Sequence, residues 1–524
     1  MTKSSHRYIA SLISGVLLFV CFPLPDWNLL VWVACLPLVL ALVSERRLVH
    51  GFFLGYVSGA VFLAGSCYWF VYVMERHGGL GPALAAAVLL LFVLVFSAFF
   101  GGFGLVTAGV ARSSRGWALA LSPFLWVSME IARTYLITGF PWDLLGYAVQ
   151  SVGLQRVASV AGVYGLSFIA ATSSALLAWV VLAPREPRAT GALGSWLCLL
   201  VIANWVFTPS PLPPGSVQAF LVQPDVPLDV AALEQWAPWR NPAQLERLVN
   251  MTLESRLHAG GNSSTPPLLI WSENPAPFYW DRDPIFHAAV VKMARDAQAD
   301  VVMGTVTFMP QDGGRPRNSA IVLNPEGREL LQYDKIHLVP FGEYVPDWAF
   351  PGKIGKITME VGDFVPGSNY SVARMPEGAV GVFICYEAIF PQLVRRIAGR
   401  GATVLVTISD DTWFGNSSAA YQHLEMARLR AIENGRYLLR ATNDGITAVI
   451  DPYGRVLERL PMHQALVLAG RFDYRTAPTF YTAHGDVFAW ACVVLAVVGV
   501  LAIGFRGSGF VVRETRNPNP ESRL

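Results

Sequence analysis

The stretch Gly381-Val-Phe-Ile-Cys-Tyr-Glu-Ala-Ile-Phe-Pro391 runs through apolar residues into a cysteine, then a tyrosine and a glutamate. A short apolar run of this kind reads as a buried strand, and the polar residues directly after it put Cys385 where that strand ends. In α/β folds, ligand chemistry gathers at the carboxyl ends of strands. The bland alternative is a buried structural thiol, since cysteine packs as a small hydrophobe, and position alone leaves both readings open.

Similar runs lie on either side: SVQAFLVQ from Ser216, PPLLIWSE ending at Glu273, DVVMGTVTF from Asp300, NSAIVLNPEG from Asn318, ATVLVTIS from Ala402, GITAVIDPYG from Gly445 and ALVLAGRF from Ala465. Helical patterns alternate with them, from AALEQW (Ala231) to LESRLHA, in FHAAVVKMARDAQ (Phe286) and from His423 to Asn434. NPEG and DPYG have hairpin-turn chemistry. Interleaved strands, helices and hairpins imply a layered α/β or α+β domain. Its amino-terminal limit is the helix-breaking linker TPSPLPPGS, Thr208 to Ser216.

Outside this segment the chain has another character. Over all 524 residues, 53% are hydrophobic and only 15% charged, well below the roughly 25% charge of soluble proteins. Apolar segments of about span length fall near 9–22, 28–43, 51–73, 84–110, 117–138, 157–183, 192–207 and 487–505, eight in all. Lys3, Arg7, Arg46, Arg47, Arg112, Arg115, Arg185, Arg188, Arg506, Arg513 and Arg516 stand in alternate loops, and Arg76 is the clear exception. The positive-inside rule then predicts both termini in the cytoplasm. The expected organisation is a membrane domain of seven helices over 1–207, an extracytoplasmic domain over 208–486, an eighth helix over 487–505 and a cytoplasmic tail over 506–524. The first span reads as retained, because no small-residue cleavage site stands out and further spans follow. A net charge of +2 with scattered basic residues gives no case for nucleic acid.

Five of the six cysteines lie within or beside proposed spans, so Cys385 has no partner in its own domain. An unpaired thiol is a liability on an oxidising side of a membrane, which favours chemistry. A nucleophilic thiol needs a base and a group to hold an oxyanion. His337 and His423 stand in conspicuous motifs, but a lone histidine is more often structural. Glu273 and Lys335 each follow a strand, and Glu343 lies eight residues beyond the lysine. A buried glutamate can move the proton, while an ammonium stabilises thiolate and oxyanion.

In this order Glu273 in IWSE, Lys335 in YDKIHLVPFGEY and Cys385 in ICYE resemble the Glu, Lys, Cys set of the nitrilase (carbon-nitrogen hydrolase) superfamily. With the flanking spans, GFPWDLLGYA (Gly139 to Ala148), DTWFG (Asp411 to Gly415), the segment Gln422 to Gly445 and ITAVIDPYG, nearly the whole chain resembles the bacterial apolipoprotein N-acyltransferases, the membrane-integrated branch. The resemblance implies an α-β-β-α sandwich beside a multi-span helical bundle, in a bacterial inner membrane with the catalytic domain periplasmic. It implies transfer of an acyl chain from a phospholipid through a Cys385 thioester to the α-amine of an S-diacylglyceryl cysteine at a lipoprotein N-terminus. Glu273 would be the base and acid. Lys335 would stabilise the oxyanion with the Tyr386 N–H, Glu343 would position the lysine or help proton transfer, and Tyr386 and Glu387 would shape the site. The acyl donor and the diacylated apolipoprotein are the implied partners, and a monomer is expected.

Aromatics suggest how lipids reach the thiol. The loop from Val345 to Asn369, with Trp348, Phe350 and Phe364, reads either as a plain surface loop or as a lid on the membrane. Trp236 and Trp239 read equally as entrance or core, and Trp413 and Phe414 as the lining of a substrate entrance. FPWDLLGY would sit in the aromatic belt of the outer interface. Two residues depart from the family pattern, Ser272 before the glutamate and Asp410 before DTWFG. The rival readings are a membrane-tethered amidase using water, and a transporter or receptor, which would carry polar residues in several spans where few stand beyond Glu130 and Arg133. No Cys/His metal cluster or phosphate-cradling glycine loop is present in the sequence, so no metal or other cofactor is implied.

Overall fold

A computed structural model describes residues 3–226, 242–258, 265–275, 278–345 and 363–508. Twelve strands form its α/β portion: β1 Val217–Gln223, β2 Leu268–Trp271, β3 Asp300–Phe308, β4 Pro316–Leu323, β5 Glu329–Asp334, β6 Ala373–Arg374, β7 Ala379–Ile384, β8 Val404–Ser409, β9 Leu438–Thr442, β10 Ala448–Ile450, β11 Val456–Arg459 and β12 Leu466–Phe472. They make two six-stranded sheets, ordered β12-β1-β2-β3-β4-β5 and β11-β10-β9-β8-β7-β6. In each sheet the central three strands run parallel, β1, β2, β3 in one and β7, β8, β9 in the other. Strands covered on both faces need continuous apolar sequence, and every residue of β2, β7, β8 and β9 is buried.

Each sheet lays one face on the other and covers its outer face with helices. Leu245 and Leu248 of Pro242–His258, with Phe286, Val290 and Met293 of Pro284–Ala297, pack on Phe220, Leu269, Val301 and Ile321. Pro391–Gly399 and Ala419–Asn434 cover the second sheet. The expected α-β-β-α sandwich is thus the observed one. NPEG joins antiparallel β4 and β5, and DPYG joins β10 and β11, as expected.

Helices form the amino-terminal part, and the short Phe480–His484 and the long Val487–Ser508 follow the sandwich. Among the described residues, four helices are long and apolar enough to cross a membrane: Leu48–Ser66, Pro82–Ser113, Ala158–Leu182 and Pro187–Phe207. Ser4–Val20, Asn28–Val43 and Val487–Ile503 are shorter apolar segments. The segment 28–43, expected as one span, is a 3-10 turn over Asn28–Trp32 followed by an eight-residue helix, Leu36–Val43. That helix is about 12 Å long, short of a bilayer core of about 30 Å. The segment 51–73 breaks at Cys67, whose backbone leaves the helical region, and resumes as Trp69–Arg76.

Glu130 and Arg133 serve packing. Both are buried in the helix Arg115–Tyr135. Glu130 Oε1 accepts from Trp126 Nε1 at 3.0 Å and from the Leu145 N–H at 2.8 Å, while Arg133 donates to the Asp143 carbonyl at 3.4 Å. These bonds hold Gly139 to Ala148 inside the protein, so the aromatics of FPWDLLGY face protein and not lipid. Phe140, Trp142 and Tyr147 are buried: Phe140 packs on Phe92 and Phe96 of the helix Pro82–Ser113, and the polar atoms of the other two meet the sandwich. Trp142 Nε1 donates to Gln422 Oε1 at 2.8 Å, and Arg430 donates to the Tyr147 hydroxyl at 3.1 Å.

Candidate active site

Cys385 follows β7 directly and begins a 3-10 turn, Cys385–Ile389. The abrupt change from strand to turn puts Cys385 at φ +50°, a left-handed conformation that disfavours residues bearing a Cβ. Two side chains hold the corner. His423 Nε2 lies 3.0 Å from the Cys385 carbonyl, which only accepts, so that nitrogen carries the proton. Glu387 is wholly buried, and its carboxylate accepts from the N–H groups of Ile384 (2.7 Å), Ile336 (2.7 Å) and His337 (3.1 Å) and from the Tyr333 hydroxyl (2.9 Å). It thereby ties the end of β7 to the loop that carries Lys335.

Lys335, placed by the end of β5, is 1% exposed and faces two carboxylates, Glu273 Oε1 at 3.2 Å and Glu343 Oε1 at 2.8 Å. Burial acts to lower its pKa, but Glu273 and Glu343 outweigh it, and the ammonium is held well above its ordinary range. Asn318, unnoticed in the sequence, donates Nδ2–H to the same two oxygens, at 2.7 Å to Glu273 and 2.8 Å to Glu343. Glu273 Oε2 takes the Asp410 N–H at 3.0 Å, and Glu343 Oε2 takes the Val339 N–H at 2.7 Å. Every carboxylate oxygen of the pair thus has a donor, which buried charge requires.

The thiol lies within electrostatic reach of this cluster. Burial pushes the Cys385 pKa well above its ordinary value of 9.0, Glu273 adds to the rise and Lys335 opposes it. The free thiol is therefore neutral at neutral pH. Of the histidines, His337 packs against Phe390 with ring centres 3.8 Å apart, and burial lowers its pKa to about 4. His423 belongs to a buried network: Asp411 Oδ1 lies 3.1 Å from its Nδ1, and Arg440 donates to Asp411 Oδ2 at 2.5 Å. Burial raises the Asp411 pKa, yet Arg440 and His423 outweigh it and hold the carboxyl near 2.

The departures are resolved differently. Asp410 accepts from the Thr412 N–H at 3.1 Å and from Asn443 Nδ2 at 3.3 Å, a satisfied loop carboxylate whose pKa burial raises to about 7. The Ser272 hydroxyl is buried without a hydrogen-bond partner. Of the entrance residues, Trp413 and Phe414 are half-buried against membrane-domain aromatics, Trp413 4.5 Å from the His77 ring and Phe414 5.1 Å from Trp69. Tyr386 donates to the Gly139 carbonyl at 3.4 Å. Phe364 is half-buried, its N–H on the Glu343 carbonyl at 3.1 Å. Trp236, Trp239, Trp348 and Phe350 lie outside the described residues. Among the described residues, no group of carboxylate, histidine and cysteine side chains could hold a metal ion.

A nitrilase-type sandwich whose thiol, ammonium and carboxylates meet at the strand ends, packed against a helical membrane bundle, defines a membrane-integrated protein of the carbon-nitrogen hydrolase superfamily. Profiles divide the chain the same way: "Carbon-nitrogen hydrolase" matches residues 232–476 and "Apolipoprotein N-acyltransferase N-terminal domain" matches 14–176. The apolipoprotein N-acyltransferase of Geobacter metallireducens is 36% identical over 513 residues, 95% of each chain, and that of Methylococcus capsulatus is 33% identical over 460 residues, 86% of each. The chain belongs to the apolipoprotein N-acyltransferase family. Among solved structures, an amidase from Nesterenkonia sp. aligns with 52% of this chain and 94% of its own, at 20% identity and a TM-score of 0.36.

Proposed function

We propose that this protein completes lipoprotein maturation by moving an acyl chain from a phospholipid to the α-amine of an S-diacylglyceryl cysteine, with Cys385 as the carrier. The observation that supports this best is the meeting of Glu273, Lys335 and Glu343 beside a thiol whose turn rests on the membrane domain. In the first half-reaction Glu273 takes the Sγ proton as sulfur attacks the ester carbonyl. The oxyanion takes hydrogen bonds from Lys335 Nζ and from the Tyr386 N–H, one of the first N–H groups of a turn, which lack partners within it. Collapse breaks the ester C–O bond, and the lysophospholipid alkoxide leaves with the proton held by Glu273.

In the second half-reaction the amine attacks the thioester carbonyl, Glu273 takes its proton, and collapse breaks the C–S bond to give the amide and, with that proton returned, the thiol. A thioester is reactive enough to acylate an amine, and an apolar surround keeps water from it. Glu343 and Asn318 act as positioning residues. The alternation of basic loops supports an extracytoplasmic sandwich over 208–486 with both termini in the cytoplasm.

The test is intact-protein mass spectrometry after incubation with phospholipid. An acyl adduct on wild type, absent from Cys385→Ala, together with lysophospholipid release is the expected result. Equal lysophospholipid from both proteins would refute the carrier role, and free fatty acid without a lasting adduct would favour an amidase-like use of water.

A further inference from the structure

Arg76, the basic residue that breaks the alternation of the loops, ends the helix Trp69–Arg76. Its side chain is exposed and makes no ion pair among the described residues. The next residue, His77, is 6% exposed, and its Nε2 is buried with no hydrogen-bond partner. Burial and then the charge of Arg76 lower the His77 pKa to about 4, so the ring is neutral at neutral pH. Glu75 is exposed beside them, yet Arg76 is the charge His77 feels.

Complementing the helix dipole is the plain explanation for a terminal arginine. It does not account for the histidine, and the last carbonyls already have partners: Val73 O accepts from the N–H groups of His77 and Gly78, and Met74 O from that of Leu80. A buried ring nitrogen without a partner calls for one.

The corner stands on the seam that leads to the thiol. The His77 ring lies 4.5 Å from Trp413. The ring of Phe414, the next residue, is 5.9 Å from His423, which bonds to the Cys385 carbonyl. Tyr72 fills the space where Gly415 lacks a Cβ, and Tyr68 Oη accepts from the Ser418 N–H at 3.1 Å. An unpaired guanidinium and a neutral imidazole thus stand at the polar end of an aromatic route whose other end is the nucleophile.

We propose that Arg76 and His77 form a subsite for the phosphodiester of the glycerophospholipid acyl donor, holding it at the rim while its ester reaches Cys385. The guanidinium fork matches two phosphate oxygens, and the imidazole supplies a further N–H. This rests on the reading of Cys385 as acyl carrier.

The test compares two donors with the same tails, dipalmitoyl phosphatidylglycerol and dipalmitoylglycerol, on the full-length protein in detergent, reading the rate of adduct formation on Cys385. Wild type is expected to prefer the phosphate-bearing donor. Arg76→Gln should lower the ratio of the two rates about tenfold, as for loss of one charge-assisted contact. Arg76→Lys should keep much of the preference, and His77→Asn should lower it less than Arg76→Gln does. An unchanged ratio in Arg76→Gln, or two rates falling together, overturns the proposal. No adduct on wild type with either donor is the failure of the Cys385 reading, whereas adducts with an unchanged ratio are the failure of this subsite alone.

Discussion

Glu387→Ala tests whether the corner under the nucleophile is a separate structural device. The wild-type carboxylate satisfies four buried donors, the N–H groups of Ile336, His337 and Ile384 and the Tyr333 hydroxyl. A buried donor left without a partner costs about 1–3 kcal/mol. Four of them at the low end cost about 4 kcal/mol, a large part of a typical stability of about 5–15 kcal/mol. At about 2–4 °C per kcal/mol for a large domain, the apparent Tm of the detergent-solubilised protein should fall by roughly 8–16 °C. Glu387→Gln keeps an acceptor for Ile336 and His337 but turns its amide toward the Ile384 N–H, so it should lose only about 1–3 kcal/mol. Because the same carboxylate joins the end of β7 to the loop of Lys335, adduct formation on Cys385 should fall in both variants in the order of their Tm losses. The assay is a thermal-unfolding scan on each variant beside the adduct time course. A wild-type Tm in Glu387→Ala refutes the clamp, and a loss of adduct without any loss of Tm gives Glu387 a direct chemical role instead.

Cys385 should be alkylated by iodoacetamide at a rate that climbs through pH 9 without a plateau, because burial and Glu273 hold the thiol above 9.0; levelling near pH 7 would mean that Lys335 prevails. Asn318→Leu removes both bonds to the carboxylate pair, and a drop in adduct formation of at least tenfold is expected. Asn318→Asp should be slower still, since it adds a third carboxylate around one ammonium, and wild-type rates in both would remove Asn318 from the site. Asp300, far from this chemistry, has its pKa raised from 3.8 to about 7, first by burial and then by Glu377 and Glu326. The folded state therefore holds the extra proton between those values, and the group costs stability as pH rises through that window. Asp300→Asn should raise the apparent Tm at pH 8 more than at pH 4, and an equal shift at both would contradict the assignment.

The sandwich and the three residues of its candidate site were legible because each residue follows a strand, an unbroken apolar run before Glu273 and Cys385 and the shorter ELLQYD before Lys335, and because each stands in an ordered motif. Asn318 was not. It sits in PRNSAIVL at a position that pattern marks only as strand, and its partners Glu273 and Glu343 are 45 and 25 residues away. The breaks at Val33 and Cys67 were hidden for another reason. A hydropathy window measures length and composition, whereas a backbone that turns between two apolar helices changes neither. FPWDLLGY misled because aromatics with polar tips suit a membrane interface and a wet protein seam equally, and only the partners on the other side, Gln422 and Arg430, separate the two.

Those partners also bear on why the two portions share one chain. Trp142, Tyr147 and the Val163 N–H, which meets Glu433 Oε1 at 3.0 Å, all bond to the single helix Ala419–Asn434. The Val163 contact follows Gly162, whose φ of +64° interrupts the helix Ala158–Leu182 and frees that N–H for the carboxylate. The same helix carries His423, which supports the Cys385 carbonyl. One rigid element therefore references Cys385 to the membrane helices on one side and to the strand ends on the other. A substrate whose tails stay in hydrocarbon fixes where its ester must present itself. With Cys385 as the proposed acyl carrier, the position of the thiol relative to the membrane becomes a catalytic parameter, which a sandwich tethered by a flexible linker alone could not hold.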